Sequence, residues 1–367
     1  MRFQLILVFI CLQCGLFAQR YAIETQLQVG RILRHTPKLT FIIPERSWGI
    51  FCNYKWQYFD KNDHTVRLRW QQQPEFGLAA TYFNLGNDTL GQAWSIVPNI
   101  RIPIFSSNNF YTDFQLGTGI AFITNPYNEL QNPQNNAIGS HFNNTTFFQL
   151  LFNYRYSEKL LFHAGASLTH YSNGGMQLPN FGLNISTINF GAQYLVVKKN
   201  IPEKYLTQQV ARQNRWGGMA QGGIALRELI GIGGPKYPYY IAAFATTFET
   251  FREQKIYLGG EYEFSKGVYA FGLYNRNFGD EAAARRGASR YSAFLGYEWR
   301  VRRVGIFLQT GYYINHQTAF LLPTFYNKLN LRYYLPLQKN ICLFTGISLK
   351  AHAITAEHIS LCGGVSF

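Results

Sequence analysis

Residues 168–184 hold the side chains with the clearest chemical potential: Leu168-Thr169-His170-Tyr171-Ser172-Asn173-Gly174-Gly175-Met176-Gln177-Leu178-Pro179-Asn180-Phe181-Gly182-Leu183-Asn184. A His two positions before a Ser puts a base and a hydroxyl on one side of an extended chain, because residues two apart share a face. His170 can take the Ser172 proton as the oxygen attacks an ester, then return it to the leaving alcohol. Asn184 can accept a hydrogen bond from the other imidazole nitrogen and so fix the tautomer. Asn173 and the Gly174-Gly175 backbone are placed to donate to an oxyanion. Such chemistry needs neither a metal nor another cofactor. The bland alternative at this point is a solvated strand end followed by an ordinary Asn-Gly-Gly turn.

The elements that must position these residues are strands. Leu160, Phe162, Ala164, Ala166 and Leu168 form one apolar face, and His163, Gly165, Ser167 and Thr169 the more polar one. The next segment alternates likewise, with Ile188, Phe190, Ala192, Tyr194 and Val196 apolar. In a membrane barrel the apolar face meets lipid and the polar face lines the lumen. His170, Ser172 and Asn184 continue the apolar sets, so they are expected on the outer wall, where unpaired polar groups are costly.

Alternation of this kind recurs along the whole chain. It predicts strands near 21–33, 47–59, 75–85, 91–104, 109–123, 145–156, 159–172 and 184–197, each about the length a tilted membrane strand needs. Turn-forming residues separate most of them, and the Asn/Pro-rich stretch 125–144 reads as a long extracellular loop. In the second half the segments are 216–227, 238–249, 254–264, 267–277, 289–300, 303–314, 325–335, 340–351 and 357–367, eight or nine in all. The expected fold is therefore all-β, an outer-membrane antiparallel β-barrel with two similar halves of about eight strands each. These form either tandem barrels or one larger barrel.

Composition agrees. The 367 residues are 17% aromatic and only 14% charged, with 31 Phe, 25 Tyr and 33 Gly. Soluble domains carry about a quarter charged residues, whereas aromatic rings settle at the headgroup level of a bilayer. Mean hydropathy is slightly negative, and beyond the N-terminus no apolar run reaches the roughly 20 residues of a helical span. The formal charge of +15 could suggest a nucleic acid partner. The basic residues are instead expected at strand ends (Arg300, Arg302, Arg303) or in turns (Arg285, Arg286), facing phosphate-rich lipopolysaccharide and outer-membrane lipids. Cys52, Cys342 and Cys362 are an odd number without metal-type spacing once Cys11 and Cys14 are set aside. His352 is read as a lumen residue, and Glu357 and His358 as rim or turn residues.

Residues 1–18 read as a secretory signal peptide, with Arg2, an apolar core from Leu5 to Phe17 and Ala18 before the cleavage point. Residues 19–197 form the first barrel region, 198–214 a periplasmic connector, and 215–367 a second barrel region. Phe367 closes an alternating strand, which resembles the assembly signal of bacterial outer-membrane proteins.

The 168–184 segment resembles the active-site motif of the outer-membrane lipid A 3-O-deacylase (PagL-type) family, often described as acyloxyacyl hydrolases. His170, Ser172, Asn173, Pro179, Asn180 and Gly182 match its His-x-Ser-Asn and Pro-Asn/Gly pattern. The resemblance implies Ser172 as nucleophile, His170 as base, and Asn173, Gly175 and Asn180 in the oxyanion region. Where the best-known type has a Glu, this chain has Asn184, which can orient a His but cannot offset imidazolium charge. The resemblance is specific over 168–184 and looser over about 20–197. It implies a membrane esterase acting on lipid A in a Gram-negative outer membrane. An outer-membrane phospholipase and a non-catalytic porin-like or structural barrel are the competing readings.

Overall fold

The computed structural model describes residues 20–57, 74–198, 216–229, 231–251, 254–301, 303–315, 324–338, 341–352 and 355–367. The expected signal peptide and most of the expected connector lie outside the described residues. The chain divides into two compact units. One comprises the residues up to Ser172 together with Phe181–Ala211, the other Asn173–Asn180 together with Arg212–Phe367. No helix among the described residues is long and apolar enough to cross a membrane.

The first unit is a closed barrel of eight strands. They are β1 (Arg20–Ile32), β2 (Ser47–Gln57), β3 (Glu75–Asn84), β4 (Gln92–Ser107), β5 (Phe110–Ile123), β6 (Phe142–Arg155), β7 (Leu160–Ser172) and β8 (Leu183–Lys198). Closure is decided by β8, which pairs back onto β1 with Leu27 opposite Phe190 and Val29 opposite Ile188. This selects tandem barrels over one larger barrel.

Alternation has the expected consequence for side-chain direction. Along β1, Ile23, Leu27 and Val29 are exposed, while Glu24, Gln26 and Gln28 are buried in the lumen. An eight-stranded barrel leaves an interior that side chains fill. Here the filling is ionic and amidic. Glu24 pairs with Arg101, Lys55 reaches Glu75 at 2.8 Å, and the Arg101 guanidinium donates to Gln115 at 2.7 Å. At the loop end an apolar layer replaces this network. Ile32, Phe83, Leu85, Tyr171, Leu183 and Ile185 pack there with loop residues Leu39, Phe41, Leu90, Ala137 and Ile138. The 125–144 stretch is thus not wholly polar and solvated: part of it seals the barrel, and β6 begins within it at Phe142.

The outer wall carries aromatic residues at both ends, as headgroup-level girdles do. At the end away from the loops, Tyr21 stacks on Tyr54 and Phe110 meets Tyr154. At the loop end β2–β6 carry Trp48, Tyr82, Trp94, Phe122 and Phe142, with ring centroids 5.6 Å apart for Trp48–Tyr82 and 4.6 Å for Tyr82–Trp94. The loop ends of β7, β8 and β1 break this series. There the outer face passes from Leu168 to His170, from Ile188 to Ser186 and Asn184, and from Val29 to Arg31.

The second unit is also a closed eight-stranded barrel. Its strands are β9 (Trp216–Glu228), β10 (Lys236–Phe251), β11 (Gln254–Ser265), β12 (Ser289–Val301), β13 (Val304–Tyr313), β14 (Phe325–Gln338), β15 (Ile341–His352) and β16 (Thr355–Ser366). β16 pairs back onto β9.

The strand expected at 267–277 is instead helical. α1 spans Lys266–Tyr274 and α2 Glu281–Ala288, and both sit on the connection between β11 and β12. Ser265 Oγ accepts from Val268 N at 3.3 Å and Asp280 Oδ1 from Ala283 N at 2.6 Å, so each helix has a side-chain N-cap. Such caps satisfy otherwise orphaned amides, and they outweigh a short apolar alternation that suits either element. Arg285 and Arg286, expected in a turn, occupy the last turn of α2, where cations complement the helix dipole.

Many charges expected at strand ends lie in the second lumen. Lys328 contacts Glu261 at 2.5 Å and Glu263 at 3.1 Å, and Arg290 contacts Glu357 at 2.8 Å. Glu357 and His358 are therefore inward residues of β16, not rim or turn residues. A bulge opposite Lys350/Ala351 lets two successive side chains enter the lumen, as bulges re-aim side chains. His352 points inward as expected, its Nε2 2.9 Å from Glu357.

Candidate active site

His170 and Asn184 face each other across the β7–β8 ladder as direct Cα partners. Both lie on the outward phase of their strands, with exposed Leu168 below His170 and exposed Ile188 below Asn184. The side chains meet, Nδ1 of His170 lying 2.7 Å from Oδ1 of Asn184. An amide oxygen only accepts, so Nδ1 carries the proton and Nε2 keeps its lone pair. Nε2 is buried and has no hydrogen-bond partner among the described residues, which leaves its lone pair free to act as a general base.

Ser172 closes β7 and is buried. It follows His170 by two residues on the same strand, a rise of about 7 Å between Cα atoms. No hydrogen bond joins its hydroxyl to Nε2. Of the three expected partners the fold thus brings two into contact and leaves the third next along the strand. Catalytic hydrogen bonds are often long before substrate docks and tighten afterwards.

Several contacts that support the imidazole were not visible from spacing. Gly182 has φ +79°, and a Cβ there would come within 2.8 Å of His170 Cε1, so only glycine admits both the backbone turn and the ring. Its N–H donates to Ala137 O at 2.9 Å. His35 Nε2 lies 2.9 Å from Phe181 O, tying the chain after β1 to the start of β8. Of these residues the sequence motif singles out Gly182 alone; His35 and Ala137 come to the site only through the fold.

The segment Asn173–Asn180 belongs to the second unit. Asn180 Oδ1 accepts from Asn173 N at 3.0 Å, and Asn173 Nδ2 donates to Gln177 O at 2.8 Å. The expected donors of Asn173 are thus already engaged within the loop, and Asn180 acts by shaping it. Gly174 and Gly175 take φ +64° and +72°. Gly175 O accepts from Glu228 N at 2.9 Å, and Leu178 N donates to the Glu228 carboxylate. Glu228 is buried, and nothing in the local sequence singled it out. Among the described residues no cluster of His, Cys, Asp and Glu has a metal-binding arrangement.

Residues 53–193 match the model of the family Lipid A 3-O-deacylase (PagL). Residues 214–367 match Acyloxyacyl hydrolase, C-terminal domain. The chain belongs to the lipid A 3-O-deacylase/acyloxyacyl hydrolase family. The first match spans β7, the turn after it and most of β8, and so includes His170, Ser172 and Asn184. The second covers the barrel that lies beyond the reach of the 20–197 resemblance. Membership makes this an outer-membrane hydrolase of the lipid A deacylase type, acting on lipid A acyl esters in a Gram-negative bacterium.

Likenesses to solved structures are distant. The crystal structure of Neisserial surface protein A covers 48% of this chain and 97% of that one, at 9% identity and a TM-score of 0.33. The beta domain of the Bordetella autotransporter BrkA covers 95% and 99%, at 8% identity and a TM-score of 0.27. No curated protein matches the chain.

Proposed function

We propose that the protein removes an ester-linked acyl chain from lipid A by a Ser-His-Asn mechanism, with the family's 3-O preference. The observation that carries this reading is the His170–Asn184 hydrogen bond on the outer wall, at 2.7 Å. It lies where the apolar outer face gives way to polar residues. Acyl esters of a lipid occupy that same boundary. A substrate can therefore reach the imidazole from the side without leaving the membrane.

In this mechanism Asn184 holds the proton on Nδ1, and Nε2 accepts the Ser172 proton as Oγ attacks the acyl carbonyl. The tetrahedral intermediate collapses when His170 returns that proton to the sugar oxygen. Water, deprotonated by the same nitrogen, then hydrolyses the acyl-serine. Gly175 is assigned to the oxyanion by its place in the family motif, with Asn173 and Asn180 holding its loop in shape. In the matching organisation, 1–18 is a signal peptide, 19–197 the deacylase region, 198–214 a periplasmic connector and 215–367 the second barrel region.

The filled lumens favour this over a porin-like role, since Arg101, Arg332, Lys55 and Lys350 are among the largest fully buried side chains. Mass spectrometry of lipid A from cells expressing wild type or Ser172→Ala tests the proposal. Loss of one acyl chain with wild type alone is the expected result. Lysophospholipid with intact lipid A would favour a phospholipase, and no change in either lipid a structural barrel.

Asn184→Ala is expected to lower kcat about 10²-fold with KM little changed, because the imidazole loses its tautomer lock. Asn184→Asp restores an acceptor and should recover most of the rate. Steady-state kinetics on purified protein in lipid micelles measures both.

A further inference from the structure

We propose that Arg31 and Arg34 form a phosphate subsite that seats the anionic head of lipid A beside the His170–Asn184 pair. This rests on the deacylase reading and adds what holds the substrate in place. Arg31 is the outward residue after Ile23, Leu27 and Val29 on β1, and it is exposed just where the apolar face ends. Cations at that level meet lipid headgroups.

The ladder brings β1 to the site directly. Leu33 N donates to Asn184 O at 2.8 Å, and Arg31 lies opposite Ser186. Arg31 and His170 thus stand two strand spacings apart, about 10 Å across the sheet, and one rung apart along it, about 7 Å, because Ser186 faces Leu168 and Asn184 faces His170; an arginine side chain and a sugar ring together span that gap. Arg31, Leu33 and Arg34 line an open groove of about 470 Å³ whose far side is Ile43, Pro44 and Glu45. Among the described residues neither arginine pairs with a carboxylate, although Glu45 faces the same groove.

A second observation fits the same occupant. Trp48, Tyr82, Trp94, Phe122 and Phe142 ring the loop end of β2–β6, whereas β7, β8 and β1 carry no aromatic on the outer face there. The imidazole and Arg31 thus stand on the stretch of the loop-end wall that carries no aromatic side chain. Arginine binds phosphate oxygens through a planar fork of charge-assisted hydrogen bonds, so a bisphosphorylated disaccharide is the occupant whose charge suits the groove.

The test measures binding of bisphosphorylated lipid A and of its dephosphorylated counterpart to detergent-purified full-length protein carrying Ser172→Ala, so that no turnover intervenes. The phosphorylated lipid is expected to bind about tenfold more tightly. Adding R31Q and R34Q should bring that ratio close to one, while R46Q, at another exposed arginine before β2, should leave it unchanged. A ratio near one before any arginine is replaced, a ratio that survives the double replacement, or an equal loss with R46Q would each overturn the proposal. Displacement of the lipid by inorganic phosphate alone would also overturn it, by making this a free-phosphate site. The deacylase reading stands or falls separately, on hydrolysis by wild type.

Discussion

Ser172→Ala, His170→Ala and the double variant are each expected to slow deacylation by about the same factor, on the order of 10⁶. The measurement is acyl chain released from lipid A in micelles. The equality matters more than the size. A nucleophile without its base and a base without its nucleophile are equally unable to begin the reaction, so the second substitution removes little that the first left. The structure makes this a demanding expectation, because Nε2 of His170 is buried without a partner among the described residues and is not bonded to Ser172. If Ser172 merely closed β7, its loss would leave the rate nearly intact and the two effects would multiply.

The second large effect concerns stability. Arg101→Met is expected to destabilise the first barrel by about 3–5 kcal/mol, read from denaturant unfolding in lipid vesicles. Arg101 and Glu24 are both almost completely buried and directly paired. Among the described residues Glu24 would keep Lys55 at 3.6 Å and the His163 imidazole at 3.2 Å but no guanidinium, and a carboxylate in that lumen cannot be rehydrated. Adding Glu24→Gln should recover part of the loss, since the stranded charge is then gone. Folded Arg101→Met protein should deacylate at nearly the wild-type rate, because the lumen network lies on the opposite face of the wall from His170.

Much of this was legible in the sequence for one physical reason: a strand sends alternate side chains to opposite faces. That rule located the barrels, set the outward direction of His170 and Asn184, and placed His352 in a lumen. It was silent on partners across the lumen. Glu24, Lys55 and Arg101 are far apart in the chain, and only closure brings them together. It misjudged 267–277, where Ser265 and Asp280 cap two short helices, because side-chain caps do not show in an apolar alternation. It also placed Glu357 and His358 at a rim, since a one-residue bulge shifts the phase that the rule depends on. The apolar seal made by Leu39, Phe41, Ala137 and Ile138 was hidden in stretches whose polar residues suggested open loops.

Covalent trapping tests the central claim most directly. A long-chain fluorophosphonate reacts with an activated serine, and peptide mass spectrometry locates the adduct. In wild-type protein embedded in lipid the adduct should fall on Ser172, and His170→Ala should abolish it. A protein that deacylates lipid A yet carries the adduct elsewhere, or none at all, would contradict a serine nucleophile on the lipid-facing wall.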